Sequence, residues 1–350
     1  MSDDDRLRLA CCGLHPDRAA RLAGDLGTPG AVVAAVATGR VESPPTVRAA
    51  ARLSAAEWRR RLDRLGVALL FRGGPGYPAH LGDLPGAPDV LFVRGRVPTS
   101  PGVAIVGTRR CTRYGLGLAR VYGQACGAAG WPVVSGLARG ADAAAHRGVV
   151  DAGGVGVAVL GCGPDIVYPA DNRPLLQDLL AAGGAVITEY PPGTRPEPWR
   201  FPPRNRIISG LAVAVVVVEA AETGGALITA AAALEQGRHV FAVPGDIGRE
   251  TSRGSNLLIR DGATPVLDPA DLVASLELLL GPARAPAPRE EAALGEQERA
   301  LLAALPVGGA SLEDAAAAAG LPAAALLVAV SRLEVAGLVR REGDLLAPSR

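Results

Sequence analysis

Between Val103 and about Leu280 the chain alternates between short, continuous apolar runs and longer segments with helical spacing. The apolar runs are Val103–Val106, Val133–Ser135, Val155–Leu160, Ala185–Thr188, Val213–Val218, Val240–Val243 and Pro265–Leu267. The helical stretches are Gly115–Ala129, Asp142–Ala152, Pro174–Ala182, Gly225–Gln236 and Asn256–Arg260. A strand apolar at every position is buried on both faces. Such strands separated by helices predict an α/β domain built on a mostly parallel sheet. Ligands of such a sheet bind at the carboxyl ends of its strands.

The flanks follow other patterns. Ala and Leu recur at helical spacing up to about Gly39, with Gly27-Thr-Pro-Gly30 breaking the stretch into two short helices. A further helix is expected from Ala55 to Leu65, where Ser54 and Glu57 have the spacing of a capping box. Residues 66–97 read as a connecting segment with a strand or two, at Val67–Phe71 and Val90–Val93. Gly281-Pro-Ala-Arg-Ala-Pro-Ala-Pro-Arg289 reads as a semi-extended linker. Beyond it, helices at Gln297–Leu305, Leu312–Ala319 and Ala323–Ala336 precede a two-stranded stretch with Gly343 in its turn, the pattern of a winged helix. The expected domains are therefore 1–65, 66–280 and 290–350, with 281–289 as the linker.

Composition narrows the chemistry. The 350 residues carry a formal charge of only +1, so any nucleic-acid site is local and not a global basic field. Every one of the 36 strong cations is Arg, so Arg enrichment alone carries little weight. Cys11, Cys12, Cys111, Cys126 and Cys162 form no Cys-x-x-Cys and no even framework, which points to a reducing cytoplasm and away from disulfides or structural zinc. No apolar signal core follows the acidic start. The longest clean apolar run, Leu211–Val218, is too short for a membrane helix and reads as a buried strand.

Three times an apolar segment reaches a Gly or Pro turn and then presents arginine: Val103–Arg110, Val133–Asp142 and Phe201–Gly210. Glycine at a strand end lets a ligand approach the backbone, and the guanidinium fork matches phosphate. The candidates from this reading are Arg109, Arg110 and Arg139, with Arg204, Asn205 and Arg206 near a helix start. Trp199, Arg200 and Phe201 stand beside them, the two rings being suited to stack a base. The turn Glu219–Ala230 reads equally well as a backbone phosphate cradle or as plain strand-to-helix chemistry. A dinucleotide site is disfavoured: Gly-x-Gly-x-x-Gly is missing after the first strand, and Ser135-Gly136 replaces the ribose-binding acid after the second. Asp142 reads as an N-cap and His146 as structural. With no elbow motif, P-loop or metal-ligand cluster, no catalytic residue, cofactor or metal is assigned.

These segments, in this order, resemble the DNA-processing protein A (DprA/Smf) family. The likeness runs through Ala104–Arg109, Val134–Arg147, Val159–Gly163, Val167–Asn172, Thr188–Gly193, Phe201–Ile208, Gly225–Ala230, Ala233–Arg238, Val243–Gly245 and Ser252–Asn256. The resemblance implies an extended Rossmann-like domain that binds single-stranded DNA without catalysing a reaction, a small SAM-like helical domain before it, and a homodimer. It also implies protection of incoming DNA in natural transformation and help in loading the RecA recombinase. Carried over by position, the DNA pocket comprises Gly107, Thr108, Arg109, Ser135, Gly136, Arg139, Arg204, Asn205 and Arg206, with Phe201 and Asn256 nearby. The chain departs from the family's usual pattern at Thr108, at Gly224-Gly-Ala226 and at Ala141, and none of these removes an arginine. The alternative is a nucleotide-binding or nucleoside-monophosphate-hydrolysing enzyme on the same core. In the C-terminal unit nine acids stand against five arginines from Glu290 onward. Its expected role is therefore protein contact, with Arg340 and Arg341 as its plausible DNA contacts.

Overall fold

The computed structural model describes residues 2–281, 283, 295–306, 309–335, 339–342 and 345–348. It forms two compact units, residues 1–284 and 285–350.

In the first unit five helices come first: α1 (Asp3–Cys11), α2 (Pro16–Leu26), α3 (Pro29–Ala37), α4 (Pro45–Ala51) and α5 (Ala55–Arg64). The expectation of two helices before Gly39 missed α1, whose Asp3, Asp4 and Asp5 are charge signals at a helix N-terminus and not an apolar period. The capping box of α5 is present, with Ser54 and Glu57 each accepting from the other's backbone N–H. The helices are not set apart from the sheet. Leu7, Trp58 and Leu62 pack on Phe92 of a sheet strand, and the Arg6 guanidinium grips Asp89 at 2.7 Å.

The sheet has nine strands: β1 (Ala68–Phe71), β2 (Val90–Gly95), β3 (Gly102–Val106), β4 (Val133–Ser135), β5 (Gly156–Val159), β6 (Ala185–Thr188), β7 (Ala212–Val217), β8 (His239–Ala242) and β9 (Thr264–Pro265). Their order is β1-β2-β6-β5-β4-β3-β7-β8-β9. The run from β6 to β9 is parallel, and β1 and β2 close one edge antiparallel. Helices α6 (Ala79–Gly82), α7 (Arg113–Ala128), α8 (Ala141–Asp151), α9 (Arg173–Ala181), α10 (Phe201–Gly210), α11 (Gly225–Glu235), α12 (Glu250–Arg260) and α13 (Pro269–Leu280) complete the unit. Alternation within each strand feeds two cores. Val103 and Ile105 join Ala119, Tyr122, Ala145 and Val149 of α7 and α8 on one face. Ala104 and Val106 join Ile207, Ile208, Ala226 and Ala230 of α10 and α11 on the other.

The chain walks from β3 outward to β6, crosses back through α10, and resumes at β7 on the far side of β3. The direction of winding therefore reverses between β3 and β7, and a crevice opens at their carboxyl ends. Helix α10 is longer than its sequence announces. Pro202 and Pro203 look like loop residues, but Pro is tolerated in a first helical turn because the N–H it lacks has no partner there. Helix α12 likewise starts at Glu250, before the expected Asn256, and α13 was not expected.

The second unit holds α14 (Glu296–Ala304), β10 (Ala310–Ser311), α15 (Leu312–Ala319), α16 (Ala323–Val335), β11 (Val339–Glu342) and β12 (Leu345–Pro348). Its three strands pair in the order β10-β12-β11 around a core of Leu301, Leu326, Val330 and Leu333. This is the winged-helix layout. The Gly343 turn, most of the 281–289 linker and the side chains of Arg340 and Arg341 lie outside the described residues.

Candidate nucleic-acid interface

The loop after β3 is built by close approach. A Cβ on Gly107 would lie 2.7 Å from the Ala141 Cβ and 3.0 Å from the Glu219 carbonyl oxygen, so only glycine lets this loop lie down between α8 and β7. The Thr108 N–H donates to that Glu219 carbonyl at 2.7 Å, and the Thr108 hydroxyl accepts from the Arg110 N–H at 3.2 Å. The Glu219 carboxylate is buried and caps α7 by accepting from the Thr112 N–H and hydroxyl. The loop so fixed presents Arg109 and Arg110 to solvent, and neither has a carboxylate within salt-bridge distance among the described residues.

Below Arg109 lies a cleft of about 390 Å³, whose lining includes Gly107–Arg110, Asp142, Arg204, Asn205 and Thr223–Ala226. Arg204 forms its floor. Its Nη1 donates to the carbonyls of Gly136, at 2.9 Å, and Val159, so it knits α10 to the ends of β4 and β5. Burial pushes this guanidinium down to about 10, which still leaves it charged at neutral pH. Gly136 leaves the guanidinium its place, since a Cβ there would sit 2.5 Å from Arg204 Nη2 and the arginine would have to shift. Asp142 is buried beside it and accepts from the Gly136 and Ala138 N–H groups. Burial raises its carboxyl group, and Arg204 and those two donors oppose the rise. Asn205 donates to the Gly225 carbonyl at 3.1 Å, which ties α10 to the start of α11. No side chain caps α11, so its first N–H groups face the cleft unpaired by a cap.

An apolar shelf of about 570 Å³ continues from this cleft, shared at Arg109, Phe201 and Thr223–Gly225. Tyr168 and Phe201 stack at 5.6 Å, Pro196, Pro198 and Pro202 border them, and Leu227 and Ile228 of α11 lie opposite. Arg109 sits over the Phe201 ring at 5.0 Å and therefore joins both halves.

The structure brings Gly107, Thr108, Arg109, Arg110, Phe201, Arg204 and Asn205 to this pocket, with Gly136 behind Arg204. The other candidates lie elsewhere. The buried Ser135 hydroxyl donates to the Ile105 carbonyl at 2.7 Å. Arg206 points off the other side of α10 to the buried Glu189, at 2.6 Å. Trp199 packs against His15 at 5.2 Å with Arg200 over its face at 4.4 Å. Asn256 clamps Gly245 through two hydrogen bonds. Arg139 is exposed outside the cleft and pairs with Asp171 at 2.6 Å. Sequence reasoning left out Tyr168, which shares no period with Phe201, and left the Thr223–Gly225 turn undecided. The position of that turn after β7, the strand that neighbours β3, is the feature that places it in the pocket.

Comparison with known proteins agrees with this architecture. The profile of the DNA recombination-mediator protein A family matches residues 68–277, and that of the DprA winged-helix domain matches 285–344. Protein Smf of Synechocystis is 44% identical over 208 residues, which cover 58% of this chain and 52% of that protein. The DNA processing protein DprA of Streptococcus pneumoniae is 41% identical over 203 residues, covering 57% of this chain and 71% of its own. The match spans about half the length of the Synechocystis and Escherichia coli relatives. The X-ray structure of Streptococcus pneumoniae DprA superposes with a TM-score of 0.62 at 32% identity, over 76% of this chain and 95% of its own. The Helicobacter pylori protein, whose structure was described for its single-stranded DNA binding mode, shares the fold at a TM-score of 0.54 and 24% identity, over 60% of this chain and 95% of its own. With the family profile running unbroken from β1 into α13 and through the crevice between β3 and β7, the chain belongs to the DNA-processing protein A (DprA/Smf) family.

Proposed function

We propose that the pocket at the carboxyl ends of β3 and β7 binds single-stranded DNA without sequence preference and without catalysis. The observation that carries this reading is the junction at Arg109 of a phosphate cradle with an apolar, aromatic shelf. The cradle, made of Arg109, Arg110, Arg204 and the start of α11, suits the anionic backbone. The shelf suits the faces of bases, which a duplex keeps inside its stack and a single strand presents. Each stacked base is worth roughly 1–3 kcal/mol and every base has a face to stack, so such a site tolerates any sequence.

Membership of a DNA-processing family supports the wider role: protecting incoming or processed strands, acting as a dimer and helping to load the RecA recombinase. Nucleotide hydrolysis gains no support from the geometry. Asp142 accepts two backbone N–H groups through Oδ2, Glu219 is taken by Thr112, and Glu222 at the shelf pairs with Arg253, so these carboxylates serve structural contacts and do not converge as an acid–base pair.

Fluorescence anisotropy with labelled single- and double-stranded oligonucleotides across a salt series tests the reading. The expected result is preference for the single strand and an affinity that falls with salt by about 0.7 log units per phosphate held, per log unit of salt. Binding indifferent to salt, or equal for the duplex, would reject it. Incubation with nucleoside monophosphates is expected to release no base.

A further inference from the structure

The β3–α7 loop that carries Arg109 leads into an open groove of about 660 Å³ bordered by α7, α8 and the segment Asp171–Leu175 that opens α9. Gly117, Gly140, Ala143 and Ala144 line it, residues too small to obstruct a chain laid across them. Arg120, Arg139 and Arg147 also line it. Each is oriented by one aspartate: Arg120 by Asp151 at 2.7 Å, Arg139 by Asp171 at 2.6 Å and Arg147 by Asp178 at 2.7 Å. Pairs this exposed hold by only about 0–1 kcal/mol, so an arriving phosphate can share or replace the carboxylate on the guanidinium fork. Gly140 joins groove to pocket: a Cβ there would lie 2.3 Å from the Thr108 carbonyl oxygen and 3.0 Å from the Arg109 Cα. A strand held at Arg109 is thus already at the mouth of the groove. Among the described residues no aromatic side chain lines it.

We infer that this groove is a second segment of the nucleic-acid site. It takes the sugar–phosphate backbone of the nucleotides that flank those in the pocket, with phosphates on Arg120, Arg139 and Arg147. The inference rests on the single-stranded DNA reading of the pocket. Because the groove offers guanidinium groups, small residues and the aliphatic Leu116 and Leu175 but no ring on which a base could stack, it holds the backbone and leaves the flanking bases turned outward, free to pair.

The test compares labelled oligothymidylates of about 6 and about 20 nucleotides, the shorter sized for the pocket alone. Three full-length proteins are measured across a salt series: the native chain, Arg120→Glu with Arg147→Glu, and Asp151→Asn with Asp178→Asn. Charge reversal is expected to weaken the long oligomer by about tenfold or more, to make its salt dependence shallower by a little over one unit, and to leave the short one within about twofold. Removing the two aspartates frees both arginines, so it is expected to tighten the long oligomer and steepen its salt dependence. This second pair decides the matter if the charge-reversed protein does not fold. Equal changes for both lengths, or no change for the long oligomer, overturn the groove and leave the pocket reading standing. Native binding that ignores salt at both lengths overturns the two together.

Discussion

Arg109 and Arg204 reach the same pocket from opposite situations, and their substitutions are expected to fail differently. Arg109 is exposed, and its contact within the chain is the face of Phe201. Arg109→Ala should weaken single-stranded DNA binding about tenfold and reduce the salt slope by about 0.7, with the melting temperature unchanged. Arg204 is buried, and its loss leaves the Gly136 and Val159 carbonyls without their donor and removes the nearby positive charge that favours the ionised Asp142. Arg204→Ala should therefore cost about 3–5 kcal/mol of stability in addition to DNA affinity, which urea denaturation would register. His146 makes a third case. It is fully buried on α8, and burial pushes its imidazole down to about 4 from the ordinary 6.5. The unfolded chain then takes up a proton below about pH 6.5 while the native state does not until about pH 4. The contribution of this group, roughly 3 kcal/mol, is complete above pH 6.5 and drains away as pH falls toward 4. Melting curves at pH 7.5 and 5 should show a smaller difference for His146→Gln than for the native chain. An equal difference would assign the acid loss to other groups.

Among the elements, α7 and α8 depend on glycine at their contact. A Cβ on Gly148 would lie 1.9 Å from the Arg120 carbonyl oxygen, and one on Gly123 would lie 2.2 Å from that of Ala145. Gly148→Ala must push the helices apart and is expected to cost about 2–3 kcal/mol by thermal or urea denaturation. That contact is not visible in the sequence, where glycine inside a helical pattern reads only as a weak position. The strands were legible because burial on both faces leaves continuous apolar runs, and β3 to β8 fall where those runs stand. Helix α10 was legible near Arg204 but not in its first turn, since Pro202 and Pro203 are loop signals unless they stand there. The pocket was legible at Gly107, Arg109 and Phe201, whose residue types carry their chemistry wherever they sit. It was misleading at Arg206 and Trp199. On a helix, Arg204 and Arg206 are about 200° apart and cannot serve one ligand together, so Arg206 went to Glu189. Trp199 went to His15 of the N-terminal helices, a contact set by tertiary packing across most of the unit.

For the whole molecule, charge divides the labour between the two units. The first concentrates cations without acid partners at one sheet edge, while the second spends the cation of its long helix internally: Arg332 of α16 pairs with the buried Glu298 of α14 at 2.9 Å. The exposed positions of α16 include Leu327 and Val328, which offer a groove of DNA no donor. Nine acids against five arginines from Glu290 onward add a repulsive field for any phosphate. The helix in the recognition position carries a single arginine, and that one is held by a buried carboxylate and not by an exposed aspartate that phosphate could displace, so this unit is expected to add nothing to the grip on a strand. Each unit has its own core, which lets one be removed without stripping the other. Deleting Glu290–Arg350 should leave the affinity for single-stranded oligothymidylate within about twofold and its salt slope unchanged. A tenfold loss with a slope shallower by one or two units would return the winged helix to the DNA site. Unchanged binding would direct the search for its role to protein partners.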